Sequence, residues 1–326
     1  MQQHAATRAA YRPFKAWAFL CLCMGLLAAP SLILAQEAVA PTDVYMAVKK
    51  LSGDIERLRV HMGAPAANRL QISVENAAPH DVYFQARNLY LKMDQLAFEH
   101  LRLLEEPPPL AEGVKQPADV LAVVRRSDHL AQQLLNEYGL PSAEAREALS
   151  AIDRTPSEVF GEIQALGRQL NLMLDRPQGP SETLMALTQA VGYAANLLGA
   201  FPRQAKIPVE PPLEPGKTPA DVFEAMLGCL DRLATIYHHL GFSSVQLSAD
   251  VSDPLELLPS DAADLAALIV ARLDYLQEQL PNIEEPLPPV YPGRAFPSHV
   301  YRRVGLLRTQ LDDLVSLYSV EGIPAK

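Results

Sequence analysis

Cysteine is scarce in this sequence. Only three of the 326 residues are cysteine, and two of them, Cys21 and Cys23, lie in an apolar stretch near the N-terminus without the preceding small residues of a lipoprotein anchor. If residues 1–35 are removed, Cys229 is the only cysteine left, so no internal disulfide can form. The stability of the folded chain must then come from packing.

Common catalytic and cofactor motifs are also missing after residue 35. The sequence has no Cys-x-x-Cys-His haem site, no Gly-rich phosphate loop, no His-Glu-x-x-His and no Gly-x-Ser-x-Gly. Cys229 falls at a position we expect to be buried, where a thiol is ordinarily inert. The acid pairs Asp312–Asp313 and Glu284–Glu285 lack a partner base and are expected to be solvated. We therefore predict no catalytic activity.

Basic residues are outnumbered by acids. Residues 1–35 hold three of the 28 Lys and Arg and none of the 38 Asp and Glu, so the remaining chain has 25 against 38, a net charge of −13. Such a chain has no basic surface for nucleic acid or anionic lipid. The partners we expect are another protein or a second copy of this chain.

The N-terminus resembles a secretory signal. Arg8, Arg12 and Lys15 precede an apolar run over residues 16–34, and Ala35 provides a small residue at a cleavage site. We predict cleavage after Ala35 and a periplasmic or secreted protein. The alternative is an uncleaved anchor, since about 19 apolar residues could just span a bilayer, and this segment is the only membrane contact we expect.

A five-residue motif of the form Pro-x-Asp/Glu-Val-aromatic recurs eight times. Its prolines are spaced by 38, 38, 39, 24, 39, 40 and 38 residues. The single short step predicts a boundary between Pro156 and Pro180, which divides the chain into residues 36–178 and 179–326. The prolines are Pro41, Pro79, Pro117, Pro156, Pro180, Pro219, Pro259 and Pro297.

The motif predicts the start of a helix. Proline is tolerated at the first helical position, and an acid two residues later faces the positive end of the helix. Thr155 with Glu158 and Thr218 with Asp221 resemble capping boxes. The motif is therefore interpreted as a folding signal rather than a binding site.

Apolar residues then follow the motif valine at offsets 0, 4, 7, 11, 14 and 18. The last copy has Val300, Val304, Leu307, Leu311, Leu314 and Tyr318. Alternating steps of four and three form a heptad seam, which is typical of helices packed side by side at about 20°. An aromatic residue or leucine after the valine widens this stripe, as in Tyr45, Tyr83, Phe160 and Phe223. These side chains are interpreted as core, with a ligand-stacking surface as the alternative.

The segments between the predicted helices are long for a helical bundle. Those following Glu105, Val209 and Glu284 are proline-rich and favour extended polyproline geometry of about 3.1 Å per residue. Two others, at 69–74 and 244–248, are strand-like, and the similarity of 43–104 to 221–281 suggests a two-helix unit of about 78 residues. We predict an all-α fold of about eight helices joined by extended straps, which allow successive helices to run parallel. An eight-helix array, two four-helix bundles and an up-and-down antiparallel bundle remain open.

Four histidines are expected at helix C-terminal ends: His61, His100, His238 and His239. There they can bind the last backbone carbonyls and complement the helix dipole. If the helices run parallel, the four gather at one level, where a metal ion or a b-type haem is an alternative. His80 and His299 fall in first turns and are expected to be exposed.

Two classes of function remain. The first is an exported helical-repeat scaffold that binds a protein or itself; the second is a periplasmic bundle that binds a small molecule or cofactor. The repeat period is close to that of tetratricopeptide arrays, but their Trp and Gly-Tyr positions are absent, so the sequence indicates no family.

Overall fold

The computed structural model describes residues 39–68, 70, 72–111, 113–143, 152–201, 205–249, 257–280 and 285–320. Within these ranges the chain forms eight helices and two short strands, which confirms the predicted all-α class. The predicted signal, residues 1–35, lies outside the described residues. The elements are α1 (Pro41–Met62), β1 (Ile72–Glu75), α2 (Pro79–Leu101), α3 (Pro117–Glu137), α4 (Pro156–Asn171), α5 (Pro180–Leu198), α6 (Pro219–His239), β2 (Gln246–Ala249), α7 (Pro259–Glu278) and α8 (Pro297–Val320).

Each described helix begins at a motif proline, as predicted. The backbone N–H before the proline donates to the side chain of the third helical residue, at 2.7 to 3.1 Å, and so gains a partner at the helix start. In α8 the acceptor is His299 Nδ1, so an imidazole replaces the carboxylate. Thr155 and Thr218 complete the predicted capping boxes. The other acceptors are Asp43, Asp81, Asp119, Glu158, Glu182, Asp221 and Asp261.

The heptad positions form the core, which confirms the predicted seam. All six seam residues of α8 are buried, and in α1, α6 and α7 the first five are buried and the sixth is half-buried. The aromatic residues that follow the motif valine are core as well, since Tyr83, Phe160 and Phe223 are almost wholly buried. Burial on this scale is the main source of stability for the described residues, in which Cys229 forms no disulfide.

The first turns of helices α1 to α4, here called the first set, lie together at one level. Their four first-turn prolines and the valines three residues on surround one small apolar cavity. The first turns of α5 to α8, the second set, surround another. Because α1 and α2 each contact both α3 and α4, and α5 and α6 each contact both α7 and α8, the helices within a set lie side by side and run parallel.

Parallel neighbours require the chain to return along the helix length between them. The returning segments, here called straps, each follow one helix. The α1–α2 strap follows α4, where Ala67 N–H donates to Gln169 Oε1 and Ala77 N–H to Ser157 Oγ. The α2–α3 strap follows α2, whose Arg87 donates to the Pro108 carbonyl. The described ends of the α3–α4 strap contact α1, where Ala143 N–H donates to Asp54 and Arg154 N–H to Thr42 Oγ1.

The straps of the second set take equivalent paths. The α5–α6 strap follows α8, where Arg302 Nε donates to the Pro211 carbonyl at 2.8 Å. The α6–α7 strap contains β2 and contacts α6. The α7–α8 strap follows α5, where Ala295 N–H donates to Ser181 Oγ. In both sets the straps follow the fourth, the second and the first helix of the set, in that order.

Burial along two proline-rich straps repeats every three residues. In the α2–α3 strap Glu105, Pro108 and Ala111 are half-buried and the residues between them are exposed. In the α7–α8 strap the same holds for Pro286 and Pro289. Three residues per turn is the period of the polyproline II helix, so one edge of each strap faces its helix and two edges face solvent.

The two sets run in opposite directions. Near the start of α2, Asp81 contacts Arg272 in the second half of α7, and Lys92 in the second half of α2 contacts Asp264 near the start of α7. The end of α4 therefore lies level with the start of α5, and residues 172–179 can join them without a strap. This geometry accounts for the single short step of 24 residues between motif prolines.

The two strand-like straps pair with each other. Strand β1 of the α1–α2 strap and β2 of the α6–α7 strap form a two-stranded antiparallel sheet in which Ile72 lies opposite Ala249 and Glu75 opposite Gln246. The sequence indicated strand-like segments at 69–74 and 244–248 but gave no pairing between them. The sheet ties the first set to the second by backbone hydrogen bonds.

Close strap packing predicts that Gly192→Ala destabilises the fold. A Cβ at Gly192 in α5 would lie 2.9 Å from Pro286 Cβ in the α7–α8 strap, so the strap must move. We expect a loss of about 1–2 kcal/mol after allowing for the better helix propensity of alanine. Thermal unfolding of the variant and the wild type measures this difference in the free energy of unfolding.

The matched control is Gly228→Ala in α6. There the nearest atom to an added Cβ is the flexible Arg232 guanidinium, at 3.5 Å. This variant should be stabilised by up to about 1 kcal/mol. Equal effects of the two substitutions would mean that the strap does not press on α5.

Candidate functional site

A buried polar layer lies where the two sets meet. At its centre Arg272 of α7 is 1% exposed and pairs with Asp81 of α2, which is fully buried. The same guanidinium donates to Ser244 Oγ at 2.6 Å and lies 3.7 Å from the centre of the Tyr237 ring. The Tyr237 hydroxyl in turn donates to the Arg272 carbonyl at 2.6 Å. One arginine thus joins α2, α6, α7 and the α6–α7 strap.

His80 belongs to this layer, so the expectation that it is exposed was wrong. Its side chain is buried against α7, and its ring stacks on Tyr275 with centroids 4.1 Å apart. His80 Nε2 lies 3.2 Å from Asp81 Oδ1 and 3.1 Å from Arg272 Nη1. The first-turn position correctly placed His80 on the helix but gave no information about the second set packing against it.

Two further ion pairs cross between the sets. Arg168 of α4 pairs with Asp261 of α7 at 2.8 Å, and Lys92 of α2 pairs with Asp264 of α7 at 2.6 Å. Asn88 and Asn171 each donate to Asp264 at 3.0 Å. Each cation is buried and paired with an acid from the other set, so the layer fixes the register of α7 against α2 and α4.

Asp81 and Asp261 each have two roles. Each accepts the backbone N–H at the start of its own helix and pairs with an arginine of the other set. Burial on its own raises the pKa of Asp81, but the hydrogen bond from His80 and the charge of Arg272 outweigh it, and the net pKa lies below its usual value. Asp81 is therefore an ionised structural group.

Sequence reasoning missed these cations, although α7 carries a signal for them. Its apolar residues surround the helix instead of forming one stripe, which indicates a helix with neighbours on both sides. A charged residue inside such a helix must be paired. Asp264 and Arg272 could have been identified in this way, but their partners could not.

The predicted histidines lie in two separate places. His61 and His100 flank Tyr138, whose hydroxyl lies 2.9 Å from His100 Nδ1 and whose ring centre lies 4.6 Å from that of His61. His238 and His239 are neighbours at the end of α6, with ring centres 6.3 Å apart. Among the described residues, no group of three or more His, Cys, Asp or Glu side chains is placed to hold a metal ion.

Cys229 lies on the seam of α6, as predicted. It is fully buried, and burial raises the pKa of its thiol to about 12. A thiol in this state is not a nucleophile at neutral pH.

A cavity of about 590 Å³ opens between α1, the α1–α2 strap and α4. This is within the usual size range of small-molecule sites. Its wall includes Ser52, Gln164 and Glu162, and Glu162 also accepts hydrogen bonds from Lys49 and Tyr45. In the second set, Gln310 bridges the corresponding groove between α5 and α8 by donating to backbone carbonyls of α5 and the α5–α6 strap. The cavity therefore marks a place where the two sets differ.

Large apolar side chains project into solvent from the proline-rich straps. Val209 is 94% exposed, Leu287 90%, Val290 87% and Leu104 76%. Other apolar strap residues are exposed as well: Leu103, Leu110, Val114, Ile207, Leu213, Tyr291 and Phe296. Concentrations of exposed apolar surface of this kind usually mark a contact with another molecule.

Acidic groups gather where the α7–α8 strap begins. Burial raises the pKa of Asp274, and the neighbouring charge of Glu285 raises it further, while the hydrogen bond from Tyr193 and the charge of Lys115 lower it. Glu278, one turn further along α7, has its pKa raised by burial and then by the charge of Asp274. The described part of this end of α7 is thus electrostatically negative.

Comparison with protein-family models, with characterised proteins and with solved structures gave no match. In the described part of the chain, none of the helices is long and apolar enough to cross a membrane.

The central ion pair predicts a pH-dependent penalty in Arg272→Met. With the guanidinium gone, Asp81 is a buried carboxylate without its cation, and we expect a loss of about 3–5 kcal/mol at pH 7. Loss of the guanidinium charge raises the pKa of Asp81 relative to the wild type, so in the variant the carboxylate gains a proton at a higher pH. Urea unfolding should show the deficit narrowing between pH 7 and pH 4.

The control is Arg232→Met, which removes a partly exposed pair with Asp312. It should cost less than about 1 kcal/mol at either pH. A deficit in Arg272→Met that is small or independent of pH would contradict the buried pair.

Proposed function

We propose that this chain is an exported helical scaffold without catalytic activity, which binds another protein through the outer edges of its proline-rich straps. The observation that carries the proposal is the apolar surface on these straps, where Val209, Leu287 and Val290 are almost fully exposed. These side chains make no contribution to the core of the chain that bears them. A protein partner would remove their apolar surface from water.

The proposed architecture has two four-helix bundles, one the duplicate of the other. The four helices within each bundle run parallel. The matching strap paths support a four-helix unit over a two-helix unit of about 78 residues. A scaffold of this kind offers several long parallel edges at defined spacings, because each strap is seated on a rigid helix. Such surfaces suit recognition rather than chemistry.

The state of the buried acids supports the absence of catalysis. Asp81, Asp261 and Asp264 each accept hydrogen bonds from a cation of the other set. The pKa of Asp81 is lowered, so this carboxylate is not poised to exchange a proton near neutral pH. Export is proposed from the basic and apolar character of residues 1–35, which places the scaffold in the periplasm or outside the cell.

Affinity capture from the native host tests the scaffold. We compare the wild type with the triple variant Leu104→Ser, Val209→Ser and Val290→Ser, which changes one exposed residue on each proline-rich strap. We expect a specific partner to be depleted about tenfold or more by the variant, because apolar anchors dominate interface energies. Quantitative mass spectrometry measures the depletion.

The control is the triple variant Val60→Ser, Ile152→Ser and Val320→Ser, whose sites are also exposed but lie off these straps. It should retain the partner. Equal capture by the wild type and both variants would show that the straps do not mediate binding.

A small-molecule carrier is the second candidate, and the cavity beside α1 and α4 favours it. Its volume of about 590 Å³ and its mixture of apolar wall and polar groups would suit a small polar ligand. Native mass spectrometry of protein made in its own host tests this function. Excess mass that Gly161→Phe, on the cavity wall, removes would support a carrier, and an unmodified mass would contradict it.

A further inference from the structure

The α7–α8 strap differs from the other proline-rich straps in the hydrogen-bonding groups of its backbone. We infer that residues 286–292 are the contact site, and that the partner is a protein whose groove is lined by aromatic side chains and rimmed by basic ones. This inference rests on the proposed scaffold function and names the class of its partner. It is carried by the backbone, the exposed side chains and the charge at this strap.

The backbone of this segment excludes pairing as a strand. Four of its seven residues are proline and have no N–H, so only three can donate a hydrogen bond. Strand addition needs a ladder of such donors. The remaining mode for an extended segment is recognition as a polyproline II helix, where aromatic side chains pack between prolines and donate to backbone carbonyls.

The strap is already held in the required shape. Pro286 and Pro289 form the half-buried edge, and Pro286 lies against Gly192 of α5, where a side chain would not fit. Leu287 and Val290 lie one turn apart on the same outer edge, 90% and 87% exposed. A ligand ordered before binding loses little conformational entropy on association.

In the described part of the chain, the backbone carbonyls of this strap are free, whereas some carbonyls of the other two proline-rich straps accept hydrogen bonds from side chains. In the α2–α3 strap, Arg87 donates to the Pro108 carbonyl, and Tyr90 and Arg126 donate to that of Glu106. In the α5–α6 strap, Arg302 donates to the Pro211 carbonyl. Among the described residues, no group donates to a carbonyl of residues 286–292, so these acceptors are available to a partner.

The acidic charge beside this strap is the reason for proposing a basic rim on the partner's groove. Glu285 is exposed at the start of the strap, beside Asp274 and Glu278 at the end of α7. In addition to burial, repulsion from Glu285 raises the pKa of Asp274, repulsion from Asp274 raises the pKa of Glu278, and Lys115 offsets each only in part. A lysine or arginine of the partner would relieve this repulsion, so binding should weaken as salt is added.

Site-specific photo-crosslinking in the native host tests the inference. Benzoylphenylalanine is placed in the full chain at Leu287 or Val290, and separately at Leu104 and Val209 on the other two straps. We expect at least tenfold more partner crosslink at 287 and 290, attached to a partner segment that contains tyrosine or tryptophan and a basic residue.

The possible failures are distinguishable. A partner crosslinked mainly at 104 or 209 overturns this inference and leaves the scaffold function intact. Crosslinks from 287 and 290 to lipid, to a second copy of this chain, or to a segment without aromatic residues also overturn it. The absence of any crosslink at all four positions overturns both.

Charge reversal provides an independent readout on the same complex. Glu285→Lys should weaken capture of the crosslinked partner about threefold or more and reduce the effect of NaCl on capture. The control Glu224→Lys makes the same charge change at an exposed site on α6. It should leave the capture of the partner and the effect of NaCl on capture unchanged. Circular dichroism and the thermal midpoint establish that each variant is folded. Equal behaviour of the two variants overturns the basic rim.

Discussion

The parallel direction of the helices within each set is the constraint on which the rest of the structure depends. Antiparallel neighbours can be joined by a short turn, but parallel neighbours require the chain to travel back along a whole helix. A helix of 22 residues spans about 33 Å, and an extended strap at about 3.1 Å per residue covers that distance in about 11 residues. The long, proline-rich linkers are therefore a direct consequence of helix direction.

The same constraint explains the small residues on the outer faces of the helices. A strap that follows a helix closely needs room for its own side chains. Gly53, Gly192 and Gly305 provide it, because a Cβ at any of them would lie within 3 Å of a strap atom. Proline then suits the strap, since its backbone is preset for the extended path and needs no hydrogen-bonding partner for an N–H. Helix and strap are thus complementary in shape as well as in length.

Relative orientation of the sets depends on a different interaction, the buried polar layer between them. Three ion pairs cross this layer, each joining an acid of one set to a cation of the other. Removing charges from water costs free energy that their attraction only partly returns, so such pairs are weak sources of net stability. They do penalise every register that leaves a charge unpaired. The layer, together with the β1–β2 sheet, selects one arrangement of the sets.

Local signals in the sequence were sufficient for the helices and insufficient for their assembly. The motif prolines and the heptad seam predicted every described helix start and most of the core, because caps and periodicity act within one or two turns. The cross-set layer could not be predicted in the same way. His80 and Arg272 are 192 residues apart, and their contact depends on the direction and register of whole sets. The strand-like segments were predicted, but their pairing across the sets also depends on that assembly.

Exposed apolar residues on the straps need an explanation beyond the fold. A segment that only has to return along a helix can place any polar residue on its solvent-facing edges, and the inward edge alone determines its fit. Leu287 and Val290 occupy an outward edge, where an apolar side chain gives the isolated chain no stability and reduces its solubility. The free carbonyls beside them are additional hydrogen-bond acceptors. Water binds them in the isolated chain, and a donor of a partner can replace that water. The geometry of this strap is thus better suited to a bound partner than to the strap's role as a connection.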